Sequence, residues 1–272
     1  MTFATGDRFT AIVLAADRTA GDPVARAAGV ACKALAPVGG RPMALRVLDA
    51  LGATPVVGDI VVCGPPEAIV QHDSRLRQRL GEGRTRWVAP GPTPSTSALA
   101  ALETVADSEP VLLTTADHAL LRPEVIEHFC RNARSGGWDV AAGLASYEQV
   151  MARFPGMRRT RTRFRGGGVC GCNLFAFLTP AGRRAADLWR QVENERKHPV
   201  RMLNRLGWWV VARYLLGRLS LPDALGHISG RMGVRVGAVL LPFPEAAVDV
   251  DTVEDWRFAE SLAAADPGKA AP

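Results

Sequence analysis

The sequence predicts an α/β fold built on a mostly parallel sheet flanked by helices. Short apolar runs alternate with helix-like segments along the first half of the chain, which is typical of a βαβ series. Runs such as "IVVCG" and "VLLTTAD" are apolar on both faces, as strands buried in a parallel sheet must be. With 272 residues, of which 47% are hydrophobic, the chain can bury a sizeable core.

The elements of the first half follow in order. The predicted strands cover Thr10–Ala16, Asp59–Gly64, Arg86–Ala89, Pro110–Thr115 and Asp139–Ala145. The predicted helices cover Pro42–Leu51, Pro66–Leu80, Ser95–Ala106 and Pro123–Ala133. Three of these helices open on proline, which a helix tolerates best in its first turn.

The second half is less regular. It contains a strand within "GGGVCGCNLFAFL", a helix from Pro180 to about Arg196, a Trp-rich segment over Leu203–Leu219, a strand over Val234–Leu241 and a closing helix. We expect a single domain over residues 1–265 and a frayed tail over residues 266–272.

Composition limits the classes of partner. A net charge of +6 and a pI near 9.5 favour anionic partners. The chain has no recognition-helix, finger or RNA-binding sheet motif, so we expect no nucleic acid. Five cysteines without repeated spacing predict reduced thiols rather than disulfides or a zinc site, and Cys170 and Cys172 are interpreted as packed strand residues. The absence of a signal-peptide pattern and of a spanning apolar run predicts a cytoplasmic protein.

The first candidate site is the loop after the first strand. It is roughly sixteen residues long where two to six are usual, which favours a function over an ordinary surface loop. Its backbone N–H groups and its cations Arg18, Arg26, Lys33 and Arg41 could neutralise a triphosphate. Asp17 stands where a phosphate-binding loop ordinarily has glycine, so we expect it to pair with Arg18 or Arg26, or to face a metal.

Carboxylates provide the other two candidate segments. Asp117 follows a buried strand, where open α/β sheets place their ligands, and a carboxylate suits Mg²⁺; the alternative is a helix cap. Asp249 and Asp251 alternate along a strand end and so point to one side, which predicts metal ligands. Thr252 and Asp255 form a capping-box-like pair, so Asp255 is predicted to be structural.

Together, in this order, the segments resemble the nucleotidyltransferase family with a GT-A, Rossmann-like fold. This group includes MobA-like enzymes, such as molybdenum-cofactor guanylyltransferase, and sugar- or alditol-phosphate cytidylyltransferases. The resemblance is carried by "LAA" before Arg18, by Lys33 with the turn "GRP", by Asp117 and by "DVDTVED". It covers the first half and the last thirty or so residues, whereas roughly residues 146–232 match only as the expected location of the acceptor site.

The resemblance implies a division of labour along the chain: residues 1–145 bind the nucleotide, residues 146–232 contribute the acceptor site, and residues 233–265 supply the late metal motif. It implies nucleotide contacts from Leu14, Ala15, Ala16, Arg18, Lys33, Ser95 and Ser97, and catalytic roles for Lys33, Arg18 and Asp117. It also implies a Mg²⁺ or Mn²⁺ ion on Asp117, Asp249 and Asp251. The expected reaction is transfer of NMP, CMP or GMP above all, from an NTP to a phosphorylated small molecule or lipid precursor, with release of pyrophosphate.

The middle of the chain supplies the expected acceptor residues and leaves alternatives open. Arg159, Arg161, Arg163 and Arg165 recur every second residue, so a strand would place them on one face, and with Asn173 they are candidate acceptor ligands. An acidic membrane surface or a charged edge strand would also explain them.

The Trp-rich segment, residues 201–221, is predicted to pack on the core or in a homodimer interface, and the alternative is peripheral contact with the inner membrane face. Two other functions stay open: a GT-A glycosyltransferase that uses a sugar nucleotide, and a non-catalytic nucleotide- or membrane-binding protein on the same scaffold.

Overall fold

A computed structural model describes residues 8–19, 21–184, 186 and 208–265. The strands are β1 (Phe9–Leu14), β2 (Pro37–Val38), β3 (Arg41–Pro42), β4 (Val57–Cys63), β5 (Thr85–Val88), β6 (Val111–Thr115), β7 (Val140–Ser146), β8 (Thr162–Phe164), β9 (Gly167–Phe177) and β10 (Val236–Leu241). The helices are α1 (Pro23–Ala28), α2 (Met43–Gly52), α3 (Glu67–His72), α4 (Ser74–Leu80), α5 (Pro94–Leu102), α6 (Pro123–Ser135), α7 (Tyr147–Arg153), α8 (Trp208–Leu215), α9 (Leu221–Met232) and α10 (Val253–Ala265).

The centre of the molecule is an eight-stranded sheet. Seven strands run in the order β10-β7-β9-β6-β1-β4-β5, and β8 pairs with β9. The pairs β1–β4, β1–β6, β4–β5 and β7–β10 are parallel, whereas β9 runs antiparallel to β6, β7 and β8. The predicted α/β class with a mostly parallel sheet is therefore confirmed.

Both faces of the sheet are covered by apolar packing. Along β1, Ala11 and Val13 join a core cluster with Leu48 of α2 and Phe129 of α6. The intervening Ile12 packs in a second cluster, which includes residues of α5. A central strand that is apolar on both faces is what this sandwich between helices requires.

The predicted helix Pro66–Leu80 is divided into α3 and α4. Asp73 between them adopts an extended backbone, and its side chain accepts a hydrogen bond of 2.7 Å from the Leu76 N–H. An aspartate N-cap accepts a hydrogen bond from a backbone N–H that has no partner within the first helical turn, so Asp73 starts a new helix here.

The loop after β1 contains two short helical segments. It contains α1, whose N-terminus is capped by Asp22 through bonds to the N–H groups of Val24 (2.8 Å) and Ala25 (3.3 Å). A 3₁₀ turn over Lys33–Leu35 follows. The predicted glycine turn is confirmed, since Gly39 and Gly40 join β2 to β3 with φ values of 60° and 73°, a conformation that favours glycine.

Several remaining predictions concern the thiols and the second half. All five cysteines are free and buried. Of the helix predicted from Pro180 to Arg196, only residues 180–184 and 186 fall within the described part, where they are helical, and the Trp-rich segment is described from residue 208. Residues 266–272 lie outside the described part, and the domain boundaries stay a prediction. None of the described helices is long and apolar enough to cross a membrane.

Candidate functional site

A cavity of about 460 Å³ opens at the carboxyl ends of β1, β4 and β6. The loop after β1 and the start of α5 form its sides. The predicted residues that line this first cavity are Leu14, Ala15, Ala16, Arg18, Lys33, Ser97, Asp117 and Asp251. Ser95, predicted to contact the nucleotide, is instead buried and does not line the cavity.

Lys33 lies at the centre of the charged groups in the first cavity. Its Nζ atom is 2.6 Å from Oδ2 of Asp117 and 3.6 Å from Oδ1 of Asp251, and it donates a hydrogen bond of 3.0 Å to the Val250 carbonyl. Burial alone would lower the pKa of this ammonium, but the two carboxylates outweigh burial and raise the pKa. Lys33 is therefore a fixed cation that joins the opening loop to both acidic segments.

Asp117 is fixed by its neighbours in the sequence and in space. Thr115 at the end of β6 donates a hydrogen bond of 2.5 Å to Oδ1 of Asp117, and the Asp117 carbonyl accepts a bond of 3.0 Å from the Val250 N–H. Burial would raise the pKa of this carboxyl group, but the Lys33 ammonium and the Thr115 hydroxyl lower it overall. Asp117 is therefore an ionised group held at the floor of the cavity.

Asp17 does not pair with Arg18 or Arg26, which corrects the expectation from the sequence. Its two carboxylate oxygens instead accept hydrogen bonds of 3.0 and 3.2 Å from the backbone N–H of Lys33. Burial raises the pKa of Asp17 despite these bonds. The carboxylate thus links the two ends of the opening loop. A search for oppositely charged side chains could not have predicted this contact, because the donor is a backbone N–H.

The wall formed by residues 91–97 contains site residues that the sequence reasoning missed. Gly91, Pro92, Thr93 and Pro94 line the first cavity beside Ser97. Thr93 and Thr96 form a reciprocal capping box at the start of α5, and the Ser97 hydroxyl accepts a bond of 3.0 Å from the Gly91 N–H. The capping pattern in "GPTPSTS" was a usable signal for this wall.

A second cavity of about 890 Å³ adjoins the first, and Asp251 lines both. At its base Asp249 is ion-paired with Arg159 and accepts a hydrogen bond of 2.7 Å from the Asn173 amide. Burial raises the pKa of Asp249, an effect that Arg159 only partly offsets. Asp249, predicted as a metal ligand, thus lines the second cavity and not the first, and both of its oxygens are engaged by neighbouring side chains.

Asn173 reaches the second cavity because of an irregularity in β9. Ala142 pairs with Phe175 and Leu144 with Gly171, so β9 carries two extra residues between these pairs. Asn173 lies in this bulge with a φ of 48°, a left-handed conformation that asparagine tolerates better than most residues. Bulges redirect side chains next to functional sites, and no periodicity in the sequence predicts this one.

The four alternating arginines do not share one face of a strand. Only Arg163 lies within β8, which spans three residues. Arg159 lines the second cavity, whereas Arg161 pairs with Glu148 at 2.6 Å and stacks on Tyr147. Arg161, Arg163 and Arg165 do not line the second cavity. The alternation did not predict the positions of these side chains, because only Arg163 lies in a strand and the other three are placed by their own neighbours.

The oxygen donors can be compared with the needs of a metal ion. No group of three or more His, Cys, Asp or Glu side chains within the described ranges could hold a metal by itself. Mg²⁺ usually takes only one or two protein carboxylates and completes its shell with water and substrate phosphates. Asp117 and Asp251 both lie within 3.6 Å of the Lys33 ammonium, so these two hard oxygen donors fit such an ion.

The late motif contains a confirmed structural pair. The Asp255 N–H donates to Oγ1 of Thr252 (3.2 Å), and the Thr252 N–H donates to Oδ2 of Asp255 (2.9 Å). This is the reciprocal arrangement predicted for the start of α10. It fixes the loop that carries Asp249 and Asp251.

Solved structures share this architecture. The chain is similar to a hypothetical transferase from Thermus thermophilus, with 32% identity, a TM-score of 0.74 and coverage of 92% of this chain and 99% of that one. It resembles a CMP:2-keto-3-deoxy-manno-octonic acid synthetase complexed with CTP (15% identity, TM-score 0.56, 94% and 99% coverage). It also resembles a 2-C-methyl-D-erythritol 4-phosphate cytidylyltransferase from Thermus thermophilus (16% identity, TM-score 0.53, 94% and 99% coverage). At these lower identities the last two show the fold alone.

No curated protein matches the chain significantly. The family model for the MobA-like NTP transferase domain matches residues 11–217, a range that contains the opening loop, Lys33, Asp117 and the strands that carry them. The chain therefore belongs to the MobA-like NTP transferase family and is a nucleotidyltransferase.

Proposed function

We propose that the chain transfers an NMP group from a nucleoside triphosphate to a phosphorylated small molecule or lipid precursor and releases pyrophosphate. The proposed group is CMP, from CTP, or GMP, from GTP. The observation that carries this proposal is the contact between the two cavities at Asp251, beside the Lys33 ammonium. A nucleotide in the first cavity and an acceptor in the second would meet at this point. A CMP:2-keto-3-deoxy-manno-octonic acid synthetase complexed with CTP and a cytidylyltransferase share this fold, so CTP is the first nucleotide to test.

In the proposed reaction an acceptor phosphate oxygen attacks the α-phosphorus in line. A new oxygen–phosphorus bond forms, the bond to the β-phosphate bridging oxygen breaks, and pyrophosphate leaves with the electron pair. The attacking oxygen is already anionic, so no general base is required. The chain contributes position and positive charge, through Lys33 in the cavity floor and Arg18 at its rim.

Asp117 and Asp251 would hold a divalent cation, Mg²⁺ or Mn²⁺, that neutralises phosphate charge. Asp249 is not included, because it lines the second cavity and not the first, where the triphosphate is proposed to bind. Arg159 and Asn173 line the second cavity and are the proposed acceptor-binding residues. This assignment narrows the acceptor set expected from the sequence to the two members that the cavity contains.

The test measures pyrophosphate release with CTP, GTP, UTP and ATP against phosphorylated sugars, polyols and lipid precursors. Wild type should turn over one pair of substrates, and Asp117→Asn should reduce the rate on the order of a hundredfold or more, because the cavity loses one of the two carboxylates proposed to hold the divalent cation. Asp59→Asn is the matched control, since Asp59 is an exposed carboxylate on β4 away from both cavities.

Other outcomes would contradict the proposal. Consumption of a sugar nucleotide without any triphosphate would assign glycosyl transfer instead. Nucleotide binding without turnover across the panel would assign a non-catalytic binding protein. Equal loss of activity in both variants would show that Asp117 has no special role.

A further inference from the structure

The exposed apolar side chains of the described part are concentrated around α8. Five large hydrophobic residues are exposed in that part, and four of them belong to residues 209–216: Trp209 (76%), Tyr214 (39%), Leu215 (77%) and Leu216 (67%). Single exposed apolar residues are ordinary, but a cluster with an indole and two leucines marks a contact surface. Trp209, Leu215 and Leu216 lie within about 120° of one another around the helix axis, because the Leu216 N–H still bonds to the Ala212 carbonyl at 3.0 Å, and we call these three residues the α8 patch.

Arginines surround the α8 patch. Arg218 is exposed just beyond it, and two further exposed arginines are Arg163 in β8 and Arg165 in the β8–β9 turn. The Arg165 N–H donates a hydrogen bond of 2.8 Å to the Leu219 carbonyl, which fixes that turn beside the patch. Among the described residues, no carboxylate forms an ion pair with these three guanidinium groups, and the nearby Asp223 is paired with Arg213 at 2.8 Å.

The combination fits one kind of partner. We propose that the α8 patch and its three arginines dock on a lipid surface with anionic headgroups. The tryptophan and the two leucines would enter the boundary between headgroups and acyl chains, while the guanidinium groups contact lipid phosphates. An eight-residue helix is only about 12 Å long. It is much shorter than the bilayer core, so it would lie along the interface rather than span the membrane.

Charge favours lipid over a second copy of the chain. In a two-fold interface the same patch faces itself, so three arginines on each side would have to face each other. Asp223, the carboxylate that is nearest to the patch along the described sequence, is already paired with Arg213. An anionic bilayer supplies that compensation without any further residue.

Docking would bring the second cavity near the lipid. Arg159 lines that cavity and lies six residues before Arg165, so the backbone between them spans at most about 20 Å. The lipid proposal does not rest on the proposed reaction, because binding to vesicles requires no turnover.

The test is cosedimentation of the full chain with phosphatidylcholine vesicles and with vesicles containing about a third phosphatidylglycerol. Wild type should bind the anionic vesicles at low salt, and high salt should release it. Two variants divide the contributions: Trp209→Ser with Leu215→Ser and Leu216→Ser removes the apolar part, and Arg163→Gln with Arg165→Gln and Arg218→Gln removes the charge. Each should lower the partition coefficient on the order of tenfold.

The control for charge is Arg75→Gln with Arg84→Gln and Arg86→Gln, which removes three exposed arginines near the opposite, β5 edge of the sheet. It should leave the partition coefficient unchanged. No binding of wild type to the anionic vesicles, or equal losses in the control and test variants, would overturn the proposal. A dimer in light scattering that dissociates in the apolar variant would do so as well, because it would assign the patch to a second copy.

Discussion

Asp17 lines the first cavity without a cationic side-chain partner among the described residues. Within the described part of the chain, its hydrogen bonds link it to the Lys33 backbone alone. An ionised carboxylate here repels a triphosphate. Asp17 therefore lowers the affinity for nucleotide, while its hydrogen bonds hold the loop closed.

Two substitutions separate these roles of Asp17. Asp17→Asn keeps an oxygen for the Lys33 N–H but removes the charge, so NTP should bind several-fold more tightly, on the order of 1 kcal/mol. Asp17→Gly removes both and should gain less, since the loop also loses its closing bonds. Isothermal titration of each variant with CTP and GTP measures the difference, and weaker binding by Asp17→Asn would contradict this role.

At the scale of elements, Arg183 secures the segment that follows α5. Its buried guanidinium donates to the carbonyls of Val105 (2.6 Å), Ala106 (2.5 Å) and Glu109 (2.7 Å), with a longer bond of 3.4 Å to Leu102. These carbonyls belong to the end of α5 and the loop before β6. The contact therefore joins the second half of the chain to the loop that leads into the Asp117 strand.

Replacing Arg183 should destabilise the fold. Arg183→Met leaves several carbonyls without a donor, and we expect a loss of about 3 kcal/mol or more in the free energy of unfolding. Arg183→Lys should be intermediate, because one ammonium cannot reproduce the planar donor set. Urea denaturation measures both, with the exposed neighbour Arg184→Met as control. If Arg183→Met and Arg184→Met were equally stable, the hydrogen bonds from Arg183 to the carbonyls would not stabilise the fold.

The sequence predicted one cavity much better than the other, for a physical reason. Asp117 could be placed beside the opening loop in advance, because β1 and β6 are parallel neighbours whose carboxyl ends meet at one edge of the sheet. Lys33 and Asp251 were placed there by the family resemblance instead, and the strand end predicted for Asp249 and Asp251 is wrong, since both residues follow a 3₁₀ turn over Pro244–Ala247. Arg159 and Asp249 are 90 residues apart, and their contact depends on the antiparallel direction of β9 and on its bulge at Asn173. Neither the direction of β9 nor its bulge produces a periodic pattern of residues in the sequence. The hydrogen bonds from Arg183 to backbone carbonyls likewise have no sequence pattern that predicts them.

For the whole molecule, acid stability depends on Asp139, which immediately precedes β7. Its carboxylate accepts bonds from the Arg235 backbone (2.8 Å), the Arg235 guanidinium (3.0 Å) and the Thr179 hydroxyl (2.9 Å). The Arg235 guanidinium is the main cause of a lowered pKa for Asp139. This one side chain connects the approach to β10 with the segment after β9.

The direction of the shift gives the pH dependence. Because the folded pKa lies below the ordinary value of 3.8, the stabilisation is complete above pH 3.8 and is lost as the pH falls below it. Asp139→Asn should therefore cost about 1–3 kcal/mol at pH 7, and the gap to wild type should narrow progressively below pH 3.8. Urea denaturation at neutral and acidic pH measures the gap. A gap that widens on acidification would falsify this assignment.

The position of β9 has a consequence for motion. It hydrogen-bonds to β6 on one side and β7 on the other, so the sheet is continuous from the strand that precedes Asp117 to the strands beside the second cavity. The two ends of such a continuous sheet cannot close on each other about a hinge. Enclosure of substrates must therefore come from loop movements over a stationary floor, and crosslinks between β6 and β9 should leave those movements intact.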